Sequence, residues 1–338
     1  MKAEIERAEL APGLACVRIL NGLWQVSGAH GTIDPRKAIP QMMAYHAAGL
    51  TTWDLADHYG PAEDFIGAFR AMLAEQGGEA ALAESMAFTK WVPRPGRVSG
   101  QVVRDAVSTS LRRMAVERLD MLQFHWWDYA DKGYLAALHN LNELREQGLI
   151  RSLALTNFDS ERLAEILDAG IPIVSNQVQY SLVDLRPAIA MQSLCLDRGV
   201  KLLTYGTLCG GLLSERYLGQ GEPARGALST ASLRKYKQMI DLWGGWAQFQ
   251  RLLLALKGVA DRYGASIANV AVRAILDRPA VAGVIVGARL GVVEHIAENL
   301  QTFSLRLDDA DRAQIDEAVV GAADLFRIVG DCGDEYRS

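Results

Sequence analysis

The chain has 338 residues, half of them hydrophobic and 22% charged, with a formal net charge of −5. That is ample material for a core, and mild acidity without any Lys/Arg cluster argues against nucleic acid as a partner. No uninterrupted apolar run of about 18 residues occurs, which excludes a spanning helix, and the charge-alternating N-terminus does not read as a secretory signal.

Short apolar runs alternate with amphipathic stretches along the whole chain. The expected strands are 16–22, 51–55, 86–90, 119–125, 150–155, 172–178, 201–205 and 282–286, each rich in Val, Ile, Leu or Thr. They lack polar alternation, as strands buried on both faces of a parallel sheet do. Between them, Asp34-Pro35 opens a helix that Gly49 ends. Leu135–Gln147 is amphipathic and closes at Gly148. Asp159 or Ser160 caps a helix through Asp168, Arg186-Pro187 starts one running to Arg198, and Ser266 caps another that ends before Pro279. A last helix is expected near 308–320. The stretch 206–247 is a long connection, and such connections are commonly functional.

Eight β/α repeats close naturally into an α/β fold, a (β/α)8 TIM barrel with an extra C-terminal helix. An open doubly wound sheet is the competitor, but no G-x-G-x-x-G turn follows the first strand. With no linker-like stretch, residues 1–338 read as one domain. Cys16, Cys195, Cys209 and Cys332 lie far apart without metal-ligand spacing. Reduced thiols, no metal and a cytoplasmic location are expected.

Four chemically distinct side chains stand at or just past strand ends: Asp54, Tyr59, Lys90 and His125. In a barrel those ends carry the active site, and neighbouring strands are about 4.8 Å apart. Each residue alone is commonly a helix cap or a solvated loop residue; all four together suit proton transfer to a carbonyl oxygen. Lys90 is expected to lower the Tyr59 pKa, Asp54 to hold Lys90 charged, and His125 to donate to the carbonyl oxygen. Tyr59 is then general acid in reduction or general base in oxidation.

The motifs that carry these residues resemble the aldo-keto reductases. GLTTWDLADHYGPAE (49–63), FTKW (88–91), LDMLQFHW (119–126) and GLIRSLALTNFD (148–159) follow the family's Asp/Tyr, Lys, His and SNF-type segments. NQVQYSL (176–182), LLTYGTLCGGLL (202–213) and VIVGARLGVVEHIAENL (284–300) continue in family order. The resemblance covers roughly 16–307. It implies a barrel that binds NADP(H) in extended form, with Asp54, Tyr59, Lys90 and His125 as catalytic tetrad. It further implies that Thr156, Asn157 and Gln177 hold the nicotinamide carboxamide while Tyr205 stacks on the ring. Gly206, Leu208, Gly210 and Gly211 match the loop over the pyrophosphate. Gly287 and Arg289 match the region that meets the 2′-phosphate, with His295, Glu298 and Asn299 near the adenine and its ribose. Gly22, Trp24 and Asp54 are also implied as cofactor neighbours. The chain departs from the family at Ala154 and Thr156, where Gly and Ser are usual, and at HYGPAE in place of YGNE.

Trp24, Trp91, His125 and Trp126 are the candidates to contact substrate, since tryptophans on the strand-end loops suit an apolar pocket. Trp127, Trp243 and Trp246 are further aromatic candidates. His58 and Asp128 read as loop-surface residues, and Cys209 as a small residue beside glycine. The expected activity is NADPH-dependent reduction of an aldehyde or ketone. Its alternatives are an NAD(P)-linked aldose or polyol dehydrogenase and a cofactor-binding regulatory subunit. The expected partners are a small carbonyl compound or sugar, with no nucleic acid and no membrane; the sequence leaves the oligomeric state open.

Overall fold

Alternation along the short apolar runs decides the architecture, because successive residues of a strand face opposite sides. The computed structural model describes residues 4–28, 31, 33–94 and 96–337. Eight parallel strands close into a barrel: β3 (Ile19–Gly22), β4 (Thr52–Asp54), β5 (Met86–Trp91), β6 (Leu119–Phe124), β7 (Ile150–Thr156), β8 (Ile173–Gln179), β9 (Lys201–Tyr205) and β10 (Val281–Gly287). They neighbour one another in chain order, and β10 returns to pair with β3.

Outward residues such as Trp53, Leu122, Phe124, Leu155 and Val178 join the layer packed between strands and helices. That layer is covered by α1 (Pro35–Ala47), α2 (Ala62–Glu84), α3 (Gly100–Met114), α4 (Gly133–Glu146), α5 (Ser160–Asp168) and α6 (Met191–Arg198). The later helices are α7 (Ala231–Trp243), α8 (Gly245–Tyr263), α9 (Ile267–Leu276), α10 (Ile296–Thr302), α11 (Asp309–Val319) and α12 (Leu325–Val329). Their starts follow ordinary capping chemistry. Asp34 accepts from the Arg36 amide, Asp159 from the Arg162 amide, and Ser266 with Asn269 forms a capping box.

Three expectations change. The first run, 16–22, is not one strand. Its start belongs to β2 (Leu14–Val17), which pairs antiparallel with β1 (Arg7–Ala11) across a Pro12-Gly13 turn, and the wall begins only at Ile19. Gly13 has φ 74°, which a side chain would resist. This hairpin places Leu10, Leu14 and Cys16 against the inward Leu20, Phe88, Met121 and Leu203, and so plugs the N-terminal end of the barrel.

The segment from Arg186 is a 3-10 turn over Arg186–Ala188, and α6 starts at Met191 after a non-helical Ala190. The 206–247 connection is no open loop: it contains α7 and the first turn of α8. Thr230 caps α7 by accepting from the Leu233 amide, and Leu233, Tyr236, Ile240 and Trp243 form its buried stripe.

Candidate active site

The same alternation that sends Trp53 and Phe124 outward sends Asp54, Lys90, Gln123, Thr156, Gln177 and Tyr205 inward at the C-terminal end of the barrel. Register keeps them level, with Lys90 beside Gln123 and Thr156 beside Gln177. His125 follows β6 two residues after Gln123, and Tyr59 stands in the loop after β4. All four sequence-derived tetrad residues meet in this volume.

Lys90 is 2% exposed, and its Nζ donates to both carboxylate oxygens of Asp54 and, at 3.0 Å, to the Leu55 carbonyl. The Asp54 carboxylate also accepts from Gln177 at 2.8 Å and Gln123 at 3.2 Å. A buried carboxylate with this many donors is fully engaged, so it orients its neighbours rather than moving a proton itself. The Lys90 Nζ lies 5.1 Å from the centre of the Tyr59 ring. Burial lowers the Lys90 pKa while Asp54 opposes that shift.

Two electrostatic expectations are corrected. Burial raises the Tyr59 pKa well above its ordinary value, and Asp54, Tyr336 and Asp57 push it the same way. Lys90 is already paired, so Tyr59 stays a protonated phenol. The His125 imidazole is pushed down to about 4, chiefly by burial. Its Nδ1 lies 3.1 Å from the Thr156 carbonyl oxygen. A carbonyl only accepts, so Nδ1 carries the proton and the neutral ring presents a lone pair at Nε2. His125 therefore donates to a substrate oxygen only as imidazolium; neutral, it accepts.

The Nε2 of His125 and the Oγ1 of Thr156 are buried without a protein partner. Asn157 adopts φ 59°, its amide donates to the Gln177 carbonyl at 2.8 Å, and its Oδ1 accepts from the Tyr205 hydroxyl at 2.8 Å. Unmatched buried polar atoms beside an inward tyrosine and two amides suit a ligand with an amide head, since such atoms are costly to leave unpaired.

The other expected cofactor residues stand at or after the ends of β3, β9 and β10. Gly22 closes β3, where an added Cβ would stand 2.7 Å from Ile285 Cγ2, and the Trp24 ring lies 5.0 Å from that of Tyr59. After β9, Gly206, Leu208, Gly210 and Gly211 form the turn under α7. Gly206 and Gly210 have positive φ, and an added Cβ would press on the Tyr236 ring. Close helix packing therefore demands glycine there. Gly211 has open space instead. Gly287 ends β10 and Arg289 lies exposed just beyond it. His295 Nδ1 and Glu298 Oε2 pair at 2.9 Å, Ser266 donates to Glu298 at 3.1 Å, and Asn299 is buried.

The tryptophans divide by strand alternation, which corrects the substrate-contact expectation. Trp91 and Trp126 are 5% and 6% exposed and both pack on Phe124 in the outer layer, away from the tetrad. Trp243 and Trp246 are buried too. Trp127 faces the site: its ring meets His125 edge-on at 4.4 Å, and its Nε1 donates to the Pro93 carbonyl. His58 pairs with Asp57 at the surface, and Asp128 accepts from the Ala130 amide in its own loop. Burial raises the Cys209 thiol to about 12, so it remains a small core residue.

Sequence reasoning missed Gln123 and the C-terminal residues Glu335 and Tyr336. The inward position of Gln123, two before His125, was a readable signal. Nothing local in the tail sequence points to the barrel mouth. Among the described residues, no group of three or more His, Cys, Asp or Glu is placed to hold a metal ion. No helix there is long and apolar enough to cross a membrane.

A family model described as the aldo/keto reductase family matches residues 18–320. The chain is 28% identical over 284 residues to the chloroplastic pyridoxal reductase of Arabidopsis thaliana, covering 80% of this chain and 73% of that protein. It is 25% identical over 312 residues to the NADH-specific methylglyoxal reductase of Escherichia coli (strain K12), covering 86% and 90%. A 179-residue stretch is 34% identical to flagellar radial spoke protein 5 of Chlamydomonas reinhardtii, spanning 48% of this chain and 34% of that protein's length. In fold, the chain resembles a thermostable aldo-keto reductase solved with the inhibitor epalrestat, with a TM-score of 0.70, 23% identity and coverage of 93% and 100%. On the family match over most of its length, and with a closed eight-stranded barrel to hold the site, the chain belongs to the aldo/keto reductase family of oxidoreductases.

Proposed function

We propose that this protein reduces the carbonyl of a small aldehyde or ketone with NADPH, and that Tyr59 gives the proton to the carbonyl oxygen. The observation that carries the reading is the half-buried Tyr59 phenol beside Lys90, which Asp54 clamps, with the unpartnered Nε2 of His125 in the same mouth. When bound, the nicotinamide supplies hydride. The chain's own residues do the rest. Thr156, Asn157 and Gln177 offer the polar atoms for a carboxamide, and the inward Tyr205 offers a ring for stacking. Tyr59 loses its proton as charge grows on the substrate oxygen, and the adjacent Lys90 stabilises the phenolate that forms. Once that proton has arrived, the lone pair at His125 Nε2 accepts from the hydroxyl of the product alcohol.

Cofactor choice turns on Arg289, whose guanidinium suits a 2′-phosphate. A relative named for NADH specificity makes this the first point to test. The names of two relatives make pyridoxal and methylglyoxal the first carbonyl compounds to try. The oxidative direction, on an aldose or polyol, has one observation in its favour: a lone pair at His125 Nε2 accepts the hydroxyl of an alcohol. We further read residues 1–338 as one domain acting in the cytoplasm, consistent with four buried, unpaired cysteines.

Tyr59→Phe is expected to lower kcat for carbonyl reduction by about 10²–10⁴-fold while the Kd for NADPH barely changes. Substantial retained turnover removes Tyr59 as the acid. Arg289→Ala should raise KM for NADPH far more than for NADH; equal effects would count against the phosphate role.

A further inference from the structure

Glu63 is 1% exposed, and its carboxylate has no part in the chemistry described above. A buried charge is costly unless it is paired, so its partners show what it holds. Glu63 stands in the first turn of α2, directly after the loop that carries Tyr59. Its Oε1 accepts from the Thr89 hydroxyl at 2.8 Å, and its Oε2 from Arg113 Nη1 at 3.4 Å. The same Nη1 donates to the Asp57 carbonyl at 3.3 Å. Arg113 is brought there because α2 and α3 meet closely. An added Cβ at Gly67, one turn beyond Glu63, would stand 2.4 Å from the Arg113 carbonyl oxygen.

These partners bracket Tyr59. Thr89 and Lys90 are successive residues of β5, so their side chains take opposite faces. Thr89 turns outward to Glu63, and Lys90 turns inward to Asp54. Before Tyr59, the Leu55 and Asp57 amides donate to the Phe88 and Lys90 carbonyls at 3.0 and 2.9 Å. After it, Glu63 ties the start of α2 to the same strand. The turn between is tight: the Tyr59 amide donates to the Ala56 carbonyl and the Ala62 amide to the Tyr59 carbonyl, both at 3.1 Å. Cutting the link at Glu63 loosens the far end of this loop while the near end stays pinned to β5.

We propose that Glu63 is a positioning residue for Tyr59: by holding Thr89 and, through Arg113, the Asp57 carbonyl, it fixes the tyrosine loop against β5 and so sets the spacing of Tyr59 and Lys90. The inference rests on the role of Tyr59 proposed above and extends it to a carboxylate on the outer face of the barrel wall.

The test uses the full chain with Thr89→Val, which removes the hydroxyl at nearly constant size, Thr89→Ser, which keeps it, and Glu63→Ala. It reads kcat and KM with NADPH and the better of methylglyoxal and pyridoxal, and the thermal midpoint. It also follows the Tyr59 signal by NMR of isotope-labelled tyrosine in protein without cofactor, identified by its loss in Tyr59→Phe. Thr89→Val should lower kcat about tenfold with KM nearly unchanged, short of the hundredfold that a misplacement of about 1 Å costs. Its Tyr59 signal should shift on titration to about pH 10, because the loosened phenol meets water. In the wild type, burial holds that phenol protonated well past its ordinary value. Thr89→Ser should restore both readouts, and Thr89→Val should add nothing in the Glu63→Ala background. The two Thr89 variants decide the matter alone where Glu63→Ala does not fold. An unmoved Tyr59 signal in Thr89→Val, a fall in thermal midpoint with wild-type kcat, or a loss that Thr89→Ser does not restore would each overturn the proposal. Turnover retained in Tyr59→Phe overturns the proposed function itself, an outcome distinct from an enzyme that needs Tyr59 and is indifferent to Thr89 and Glu63.

Discussion

Among Tyr59, Lys90 and His125, burial is the largest influence on each group's protonation. Tyr59 keeps its proton because burial and nearby carboxylates both oppose the phenolate, which suits a proton donor. His125 is held neutral by burial, against the opposing pull of the Glu335 carboxylate, and this has a stability consequence. Its folded pKa of about 4 lies below that of free imidazole, so between these values the unfolded chain binds more protons. The contribution is fully present above pH 6.5 or so, and about 3 kcal/mol is lost as pH falls toward 4. Urea midpoints measured across that window should fall with acid in the wild type and less steeply in His125→Asn. Parallel slopes would mean other groups carry the acid limb. That these four side chains gather at one end of the barrel was legible in sequence, because each sits at or just past a strand end. The tautomer of His125 was not legible, since it depends on the Thr156 carbonyl brought alongside by β7.

Among the elements, α7 most changes the reading of the sequence. Its Tyr236 packs so closely on the turn after β9 that Gly206 has no room for a side chain, with an added Cβ 2.8 Å from two ring carbons. Gly206→Ala should therefore cost about 2–4 kcal/mol, combining the positive φ with the overlap. Gly211→Ala, with positive φ but open space, should cost only about 1–2 kcal/mol. Chemical denaturation of the two variants checks this, and equal losses would show that φ alone is responsible. The resemblance matches the glycines of this turn to a loop over the pyrophosphate; at Gly206 and Gly210 helix packing is reason enough for glycine. The strands and most helix starts were readable from periodicity and caps, whereas α7 lay inside a stretch too rich in glycine to advertise it. The hairpin of β1 and β2 was missed because two short runs flanking Pro12-Gly13 merge, by composition, with the first wall strand.

Over the whole molecule, the apolar plug and the proposed active site occupy opposite ends of the barrel. The N-terminal end is closed by the apolar plug, and the C-terminal end carries the tetrad and the tail. Leu14→Ala in the plug should destabilise the protein by about 2–5 kcal/mol, from lost burial plus the cavity left behind. Its kcat/KM at a permissive temperature should match the wild type. Urea unfolding and steady-state kinetics on the same preparation test both halves, and a large loss of activity in folded protein would refute the separation.

Periodicity, caps and motif order by themselves determined the eight-fold alternation, the barrel and the gathering of Asp54, Tyr59, Lys90 and His125 at one end of it, because these depend on spacing within short segments. Only the tertiary structure decided which tryptophans face the site, since a shift of one residue along a strand reverses the side that a ring occupies. It also decided that the last residues cross the mouth of the barrel. That placement depends on a buried arginine nearly 150 positions away in sequence, and no local pattern encodes such a contact.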